Sequence, residues 1–192
     1  HFIINREGEL RWLNGEIEAG IRLINEAFDL YTEDHPGNDK PVVIDLPMKG
    51  TFVTVAGNNS TTAMTHAGLA RYCFDFMGSD RTGRTTHEIT NGIGKNEDYL
   101  GFGMSIFSPV DGVVVSIEDD AVDHAPATEW QYHLEGNQII IQDSNNYNYV
   151  FVHNKYQTAN VGLGENVKAG QKIAELGNTS STVPHLHFGV WS

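Results

Sequence analysis

Pro184-His185-Leu186-His187-Phe188 is the stretch on which the reading of this chain turns. In an extended strand, successive side chains point to opposite faces. His185 and His187 would then share one face, and Leu186 and Phe188 would fill the other. Imidazoles at that spacing lie roughly 7 Å apart, too far for a direct hydrogen bond. The spacing suits one histidine on a metal ion and the other on a substrate or water beside it. Two surface histidines on an edge strand would give the same pattern, so residues elsewhere have to decide.

Working outward, the chain from Pro41 onward has the texture of β structure. Short runs rich in Val, Ile, Phe and Tyr occupy 42–46, 51–55, 72–76, 112–117, 138–142, 149–153, 172–176 and 185–191, with Gly, Asn and Asp between them. The expected fold is mainly β, an antiparallel sheet or sandwich. Two longer polar stretches, 78–103 and 118–136, read as loops over that scaffold. The exception is N-terminal. Leu10, Leu13, Ile17, Ile21, Ile24, Phe28 and Tyr31 recur at spacings of three and four, which predicts a helix over 9–31. Its apolar stripe would pack on the domain, on a segment upstream or on a protein partner. Residues 32–39 are linker-like. The division is therefore an N-terminal helical segment and linker, 1–40, and a β domain, 41–192.

Charge and composition exclude some functions. The 192 residues carry 12 basic and 25 acidic side chains, a net charge of −13. That argues against nucleic acid, which needs a basic footprint. No run of eighteen apolar residues predicts a membrane span. No signal peptide is visible, and the start at His1 is expected to reflect processing or trimming, with a targeting segment removed. One cysteine, Cys73, cannot form an internal disulfide.

Chemistry is suggested by a carboxylate inside an apolar run, Tyr72-Cys73-Phe74-Asp75-Phe76. Tyr72, Phe74 and Phe76 are expected to face the core, with Asp75 and Cys73 on the other side. A charge in such a run needs a partner or a metal. Pairing with Arg71 or capping a turn is the alternative. His66 lies upstream across a polar stretch, and His153 ends the run Tyr149-Val150-Phe151-Val152. His1, His35, His87, His124 and His133 sit in polar segments and read as surface residues.

These segments resemble, in order, the lysostaphin/LytM family of zinc peptidases (peptidase family M23). Ser108-Pro109-Val110-Asp111-Gly112-Val113-Val114 resembles the family's Ala-Pro-x-Asp-Gly-x-Val turn. Gly136-Asn137-Gln138-Ile139-Ile140-Ile141 resembles its Gly-Asn-x-Val-x-Ile strand, and Phe151-Val152-His153 its Tyr-x-His. Gly164 to Ile173 resembles its Gly-x-x-Val-x-x-Gly-Gln-x-Ile hairpin, and Pro184 to Phe188 its terminal signature. The resemblance covers 41–192. It implies a zinc endopeptidase that cuts peptidoglycan peptides outside the cytoplasm. His66, Asp75 and His187 would be the zinc ligands, with His153 and His185 flanking the attacking water. Zinc with two imidazoles and one carboxylate acidifies a water and polarises a carbonyl. Departures from the pattern are Cys73 where the family has Ala, Asn154 where it has Leu, and a polar, glycine-free stretch over 179–183. Two other functions compete: a silent module that activates other wall hydrolases, and a biotinyl- or lipoyl-type carrier, which the hairpin over 164–176 also resembles. Neither Met48-Lys49-Gly50 nor Asp39-Lys40-Pro41 stands where a carrier's modified lysine belongs.

Overall fold

The computed structural model describes residues 42–56, 72–89, 92–127 and 136–191. The expected N-terminal helix over 9–31, the linker and His66 lie outside these residues. The described chain is mainly antiparallel β, with nine strands: β1 Phe52–Ala56, β2 Phe74–Gly78, β3 Ser105–Phe107, β4 Gly112–Glu118, β5 Gln138–Gln142, β6 Asn148–Val152, β7 Asn166–Val167, β8 Lys172–Glu175 and β9 Leu186–Trp191. The helical element whose full range is described is a short 3-10 segment, Asn96–Asp98. Seven strands form one sheet in the order β1-β2-β9-β6-β5-β4-β7, and β3 pairs with β8 in a second.

Local sequence sets the central hairpin. In β5, Ile139 and Ile141 are fully buried, as a two-residue period requires. The turn that follows is built by Asp143, whose Oδ1 accepts from the amides of Asn145 (2.8 Å) and Tyr147 (3.0 Å). Asn146 takes the left-handed conformation there, φ 67°, which asparagine tolerates better than most residues. The turn fixes the register, pairing Gln142 with Asn148 and Gln138 with Val152. His153 therefore leaves β6 beside the start of β5.

The turn between β7 and β8 is tied to the start of β4. Asp111 accepts from Lys168 Nζ (2.7 Å) and the Ala169 amide (2.9 Å). Gly112 pairs with Val167. A Cβ at Gly112 would stand 2.6 Å from the Gln142 carbonyl oxygen, so only glycine fits there.

Two compact units are distinguished. One comprises Val43–Val55 and Asp75–Phe188. Its core includes Ile106, Ile139, Ile141, Tyr149, Phe151, Ile173, Leu176 and Leu186, all almost wholly excluded from solvent. Phe151 packs on Phe188 with ring centroids 5.2 Å apart, and Phe52 meets Phe76 edge-on at 5.4 Å. The other unit's described residues are Val42, Ala56, 72–74 and 189–191. Within it, Cys73 is buried where Gly189 leaves room for its sulfur.

Two local expectations change. Residues 42–46 form no strand, and Val43 is almost fully exposed. A β-branched run without a partner to pair with stays irregular. β2 begins at Phe74, and Phe74 is 38 % exposed while Asp75, Phe76, Met77 and Gly78 are buried. The simple alternation fails because this part of the strand is covered on both faces. The described parts of the 78–103 loop, 78–89 and 92–103, are tied together: Thr86 bridges Tyr99, and the buried Tyr99 donates its hydroxyl to the Ile93 carbonyl at 3.0 Å.

Candidate metal and catalytic site

Sheet order brings the candidate residues together. β9 lies between β2 and β6. Asp75 is the second residue of β2, His187 the second of β9, and His153 follows β6. Leu186 and Phe188 are buried on one side of β9. His185 and His187 share the other side, and both approach one oxygen of Asp75. His187 Nδ1 lies 2.7 Å from Asp75 Oδ1, and His185 Nε2 lies 3.5 Å from it. All three side chains are largely buried. The His153 ring stands over this trio, with its centroid 4.7 Å from that of His185 and 6.1 Å from that of His187.

The outer nitrogens of two rings are held by main-chain carbonyls. His153 Nδ1 lies 2.7 Å from the Thr179 carbonyl oxygen. His185 Nδ1 lies 2.9 Å from the Val183 carbonyl oxygen and 3.0 Å from Ser181 Oγ. A carbonyl only accepts, so in each ring Nδ1 carries the hydrogen and donates it. When neutral, each ring therefore presents an unprotonated Nε2. For His185 that lone pair faces the Asp75 carboxylate oxygen at 3.5 Å. Two lone pairs directed at each other are unfavourable unless a proton or a cation lies between them.

This donor chemistry fits a divalent cation. One ligand atom from each of Asp75, His185 and His187 falls within 4.8 Å of the others. Imidazole nitrogen and carboxylate oxygen are the donors zinc takes, and a carboxylate is a buried charge that a cation offsets. The cluster differs from the ligand set implied by resemblance: it contains His185, and His66 lies outside the described residues.

Electrostatics act on His153 most strongly. Burial pushes its pKa well below the usual histidine value, and the neighbouring His185 and His187 push in the same direction. The Thr179 hydrogen bond and Asp75 oppose this without reversing it. His153 is thus neutral at neutral pH, with an Nε2 able to accept a proton.

The remaining histidines stand apart from this arrangement or beyond the described residues. His87 is exposed. His124 contributes its main-chain carbonyl, which accepts from Asn96 Nδ2 (2.7 Å) and Asn178 Nδ2 (3.0 Å). His1, His35 and His133 lie outside the described residues. Sequence reasoning missed the carbonyls of Thr179 and Val183 as ring partners. Backbone acceptors have no residue-type signal, and only the unusual polarity of 179–183 marked the segment.

Residues 98–192 match the model of peptidase family M23. The chain is 27% identical over 155 residues to the murein hydrolase activator NlpD of Salmonella dublin, covering 80% of this chain and 37% of that protein. It thus spans well under half the length of that relative. Over 55 residues it is 46% identical to lipoprotein NlpD of Yersinia enterocolitica, covering 29% of this chain and 55% of that one. Among solved structures, the antimicrobial peptidase lysostaphin from Staphylococcus simulans aligns over 76% of this chain and 46% of its own, with 21% identity and a TM-score of 0.44.

Proposed function

From the premise that this chain belongs to peptidase family M23 through residues 98–192, we propose that it is a zinc endopeptidase that hydrolyses peptide bonds in peptidoglycan, in a stem peptide or a cross-bridge. The observation that carries this reading is the convergence of Asp75, His185 and His187 donor atoms within 4.8 Å, under the ring of His153.

His66, Asp75 and His187 would hold the metal, as the family resemblance implies. Zinc, when bound, supplies Lewis acidity toward a water and the scissile carbonyl. The chain's own residues supply the rest. His153 and His185, each with Nδ1 tied to a carbonyl, turn Nε2 toward the reacting groups. One takes the proton of the attacking water. The other donates a hydrogen bond to the oxygen that becomes negative when the carbonyl is attacked, for which its ring must be protonated. The depressed pKa of His153 suits it to the base and leaves His185 for the second role. The base then returns its proton to the departing amine.

A second reading is favoured by one finding. The Salmonella relative is named a murein hydrolase activator. The alternative is that this chain binds wall or partner and stimulates another hydrolase. Protein partners belong to that reading, and the apolar stripe of the N-terminal segment is the candidate contact. Under either reading we place the protein outside the cytoplasm, in or at the envelope, in keeping with the lipoprotein name of the Yersinia relative. No helix among the described residues is long and apolar enough to cross a membrane.

Digestion of defined wall fragments by zinc-loaded protein, with products identified by mass, tests the proposal. New amine and carboxyl ends that disappear on chelation are the expected result. Intact fragments, together with faster digestion when a separate wall hydrolase is added, would overturn it in favour of the activator.

A further inference from the structure

Thr179 is wholly buried, and its hydroxyl is used twice. Oγ1 donates to the Asn154 carbonyl at 3.0 Å and accepts from the Asn137 amide at 3.0 Å. Asn137, also wholly buried, extends the lattice. Its Nδ2 donates to the carbonyls of Asn154 (3.2 Å) and Ala121 (2.9 Å), and its Oδ1 accepts from the Ala121 amide (2.8 Å). The main-chain amide of Asn154 in turn donates to the Asn137 carbonyl at 3.2 Å. The hydroxyl of Thr179 is therefore pinned to the residue that follows His153 and to the residue that precedes β5. The main-chain carbonyl of the same Thr179 is the acceptor for His153 Nδ1.

The main chain at His153 needs such support. Its φ is 67°, a left-handed conformation that side chains other than glycine rarely adopt. Its carbonyl accepts from the Gly177 amide at 2.9 Å. The imidazole, by contrast, has one hydrogen-bond partner among the described residues, and that partner is the Thr179 carbonyl. Residue 180 is also left-handed, with φ 56° at Ser180. The carbonyl of Thr179 thus sits at a sharp bend, and the hydroxyl of the same residue ties that bend to Asn154 and Asn137.

We propose that Thr179 is a positioning residue for His153: its hydroxyl, held between the Asn154 carbonyl and the Asn137 amide, aims its own carbonyl at His153 Nδ1 and so fixes the ring's orientation and tautomer. The catalytic consequence rests on the hydrolase reading above. Thr179 touches no reacting atom and acts through His153. A ring freed to rotate, or to place its hydrogen on Nε2, no longer offers Nε2 as the proton acceptor facing the reacting groups. Small misplacements of a catalytic group cost about 100-fold in rate.

The test pairs Thr179→Val, which removes the hydroxyl at nearly constant shape, with Thr179→Ser, which keeps it. The first readout is the nitrogen NMR spectrum of the His153 ring in the zinc-loaded full chain, which distinguishes a nitrogen that carries a proton from one that does not. Wild type and Thr179→Ser are expected to show the hydrogen on Nδ1, and Thr179→Val a mixture. The second readout is turnover of a wall peptide. In Thr179→Val, kcat is expected to fall about 100-fold with KM and zinc content nearly unchanged; Thr179→Ser is expected to recover most of it. Should Thr179→Val not fold, Thr179→Ala carries the same expectation with less bulk. An unchanged His153 spectrum in the variant without a hydroxyl overturns the proposal. So does a Thr179→Ser protein as impaired as Thr179→Val, which would make the methyl group the important part. Wild-type protein that cleaves no wall peptide overturns the hydrolase reading alone, and the His153 spectra still decide the positioning role.

Discussion

At the scale of single residues, the site is a question of which nitrogen holds what. His187 Nδ1 is 2.7 Å from Asp75 Oδ1, and His185 Nε2 is 3.5 Å from the same atom. The resemblance makes His187 a ligand and His185 a partner of the water. On that assignment His187→Ala removes both zinc and activity. His185→Ala keeps the zinc and loses about 100- to 10,000-fold in rate, the usual worth of a general acid or base. Metal content after loading and dialysis, measured beside turnover, checks both. Loss of zinc from His185→Ala would move His185 into the ligand set. The residue types were legible in the sequence: a carboxylate in an apolar run and two histidines on one strand face. The ring partners were not, because a carbonyl at Thr179 or Val183 leaves no mark on residue identity. Burial at Asp75 was also read through an alternation that Phe74 does not follow.

His153 links that site to pH. Its folded-state pKa lies below the ordinary value of about 6.5, mainly through burial. The unfolded chain therefore takes up the proton first as pH falls. Its contribution to stability is complete above about pH 6.5 and is lost progressively below that. Chelator-treated protein should melt at lower temperature at pH 5 than at pH 7.5, and His153→Gln should shrink that difference. Activity should rise toward neutrality as well, since an acidified site protonates its ligands and its base. A rate that peaks below pH 5 would contradict the mechanism.

At the scale of elements, strands long enough to show a two-residue period were legible, and those made by pairing alone were not. β5 occupies the expected 138–142, because Ile139 and Ile141 alternate with less buried neighbours and Asp143 builds the turn. β3 and β7, with only three and two residues, carry no period and exist through their partners β8 and β4. The same pairing logic makes one glycine critical. The chain after β6 runs beside the chain after β8, with Asn154 bridged to Leu176. A Cβ at Gly177 would stand 2.6 Å from Lys155 N, backbone that cannot swing aside. Gly177→Ala should cost about 1–3 kcal/mol, as overpacking does. It should also lower activity, since the Gly177 amide holds the His153 carbonyl. Gly162→Ala, where an added Cβ meets nothing within 4 Å, is the control and should melt like wild type. Equal melting temperatures for the two variants would show that the two segments can part without penalty.

At the scale of the whole molecule, Asp75, His153, His185 and His187 all fall in the unit formed by Val43–Val55 and Asp75–Phe188. The family match begins at residue 98 and so leaves Asp75 outside it. The sequence places the start of the β domain further upstream, at Pro41, because the texture changes to short β-rich runs there and the motif resemblance covers 41–192. The N-terminal stripe from Leu10 to Tyr31 is expected to supply no ligand, and an apolar stripe of that kind calls for cover from the β domain or a partner. Residues 1–40 are therefore expected to serve docking or stability. A chain that begins at Pro41 should still bind one zinc ion and retain measurable hydrolysis, with lower solubility or melting temperature. His66→Ala in the full chain should abolish zinc binding, since the family resemblance makes His66 a ligand. The two results must be read together, by metal content and by circular dichroism to establish folding. A folded, truncated protein without zinc would show that a ligand lies before Pro41. Zinc retained in full by His66→Ala would instead leave Asp75, His185 and His187 as the binding group.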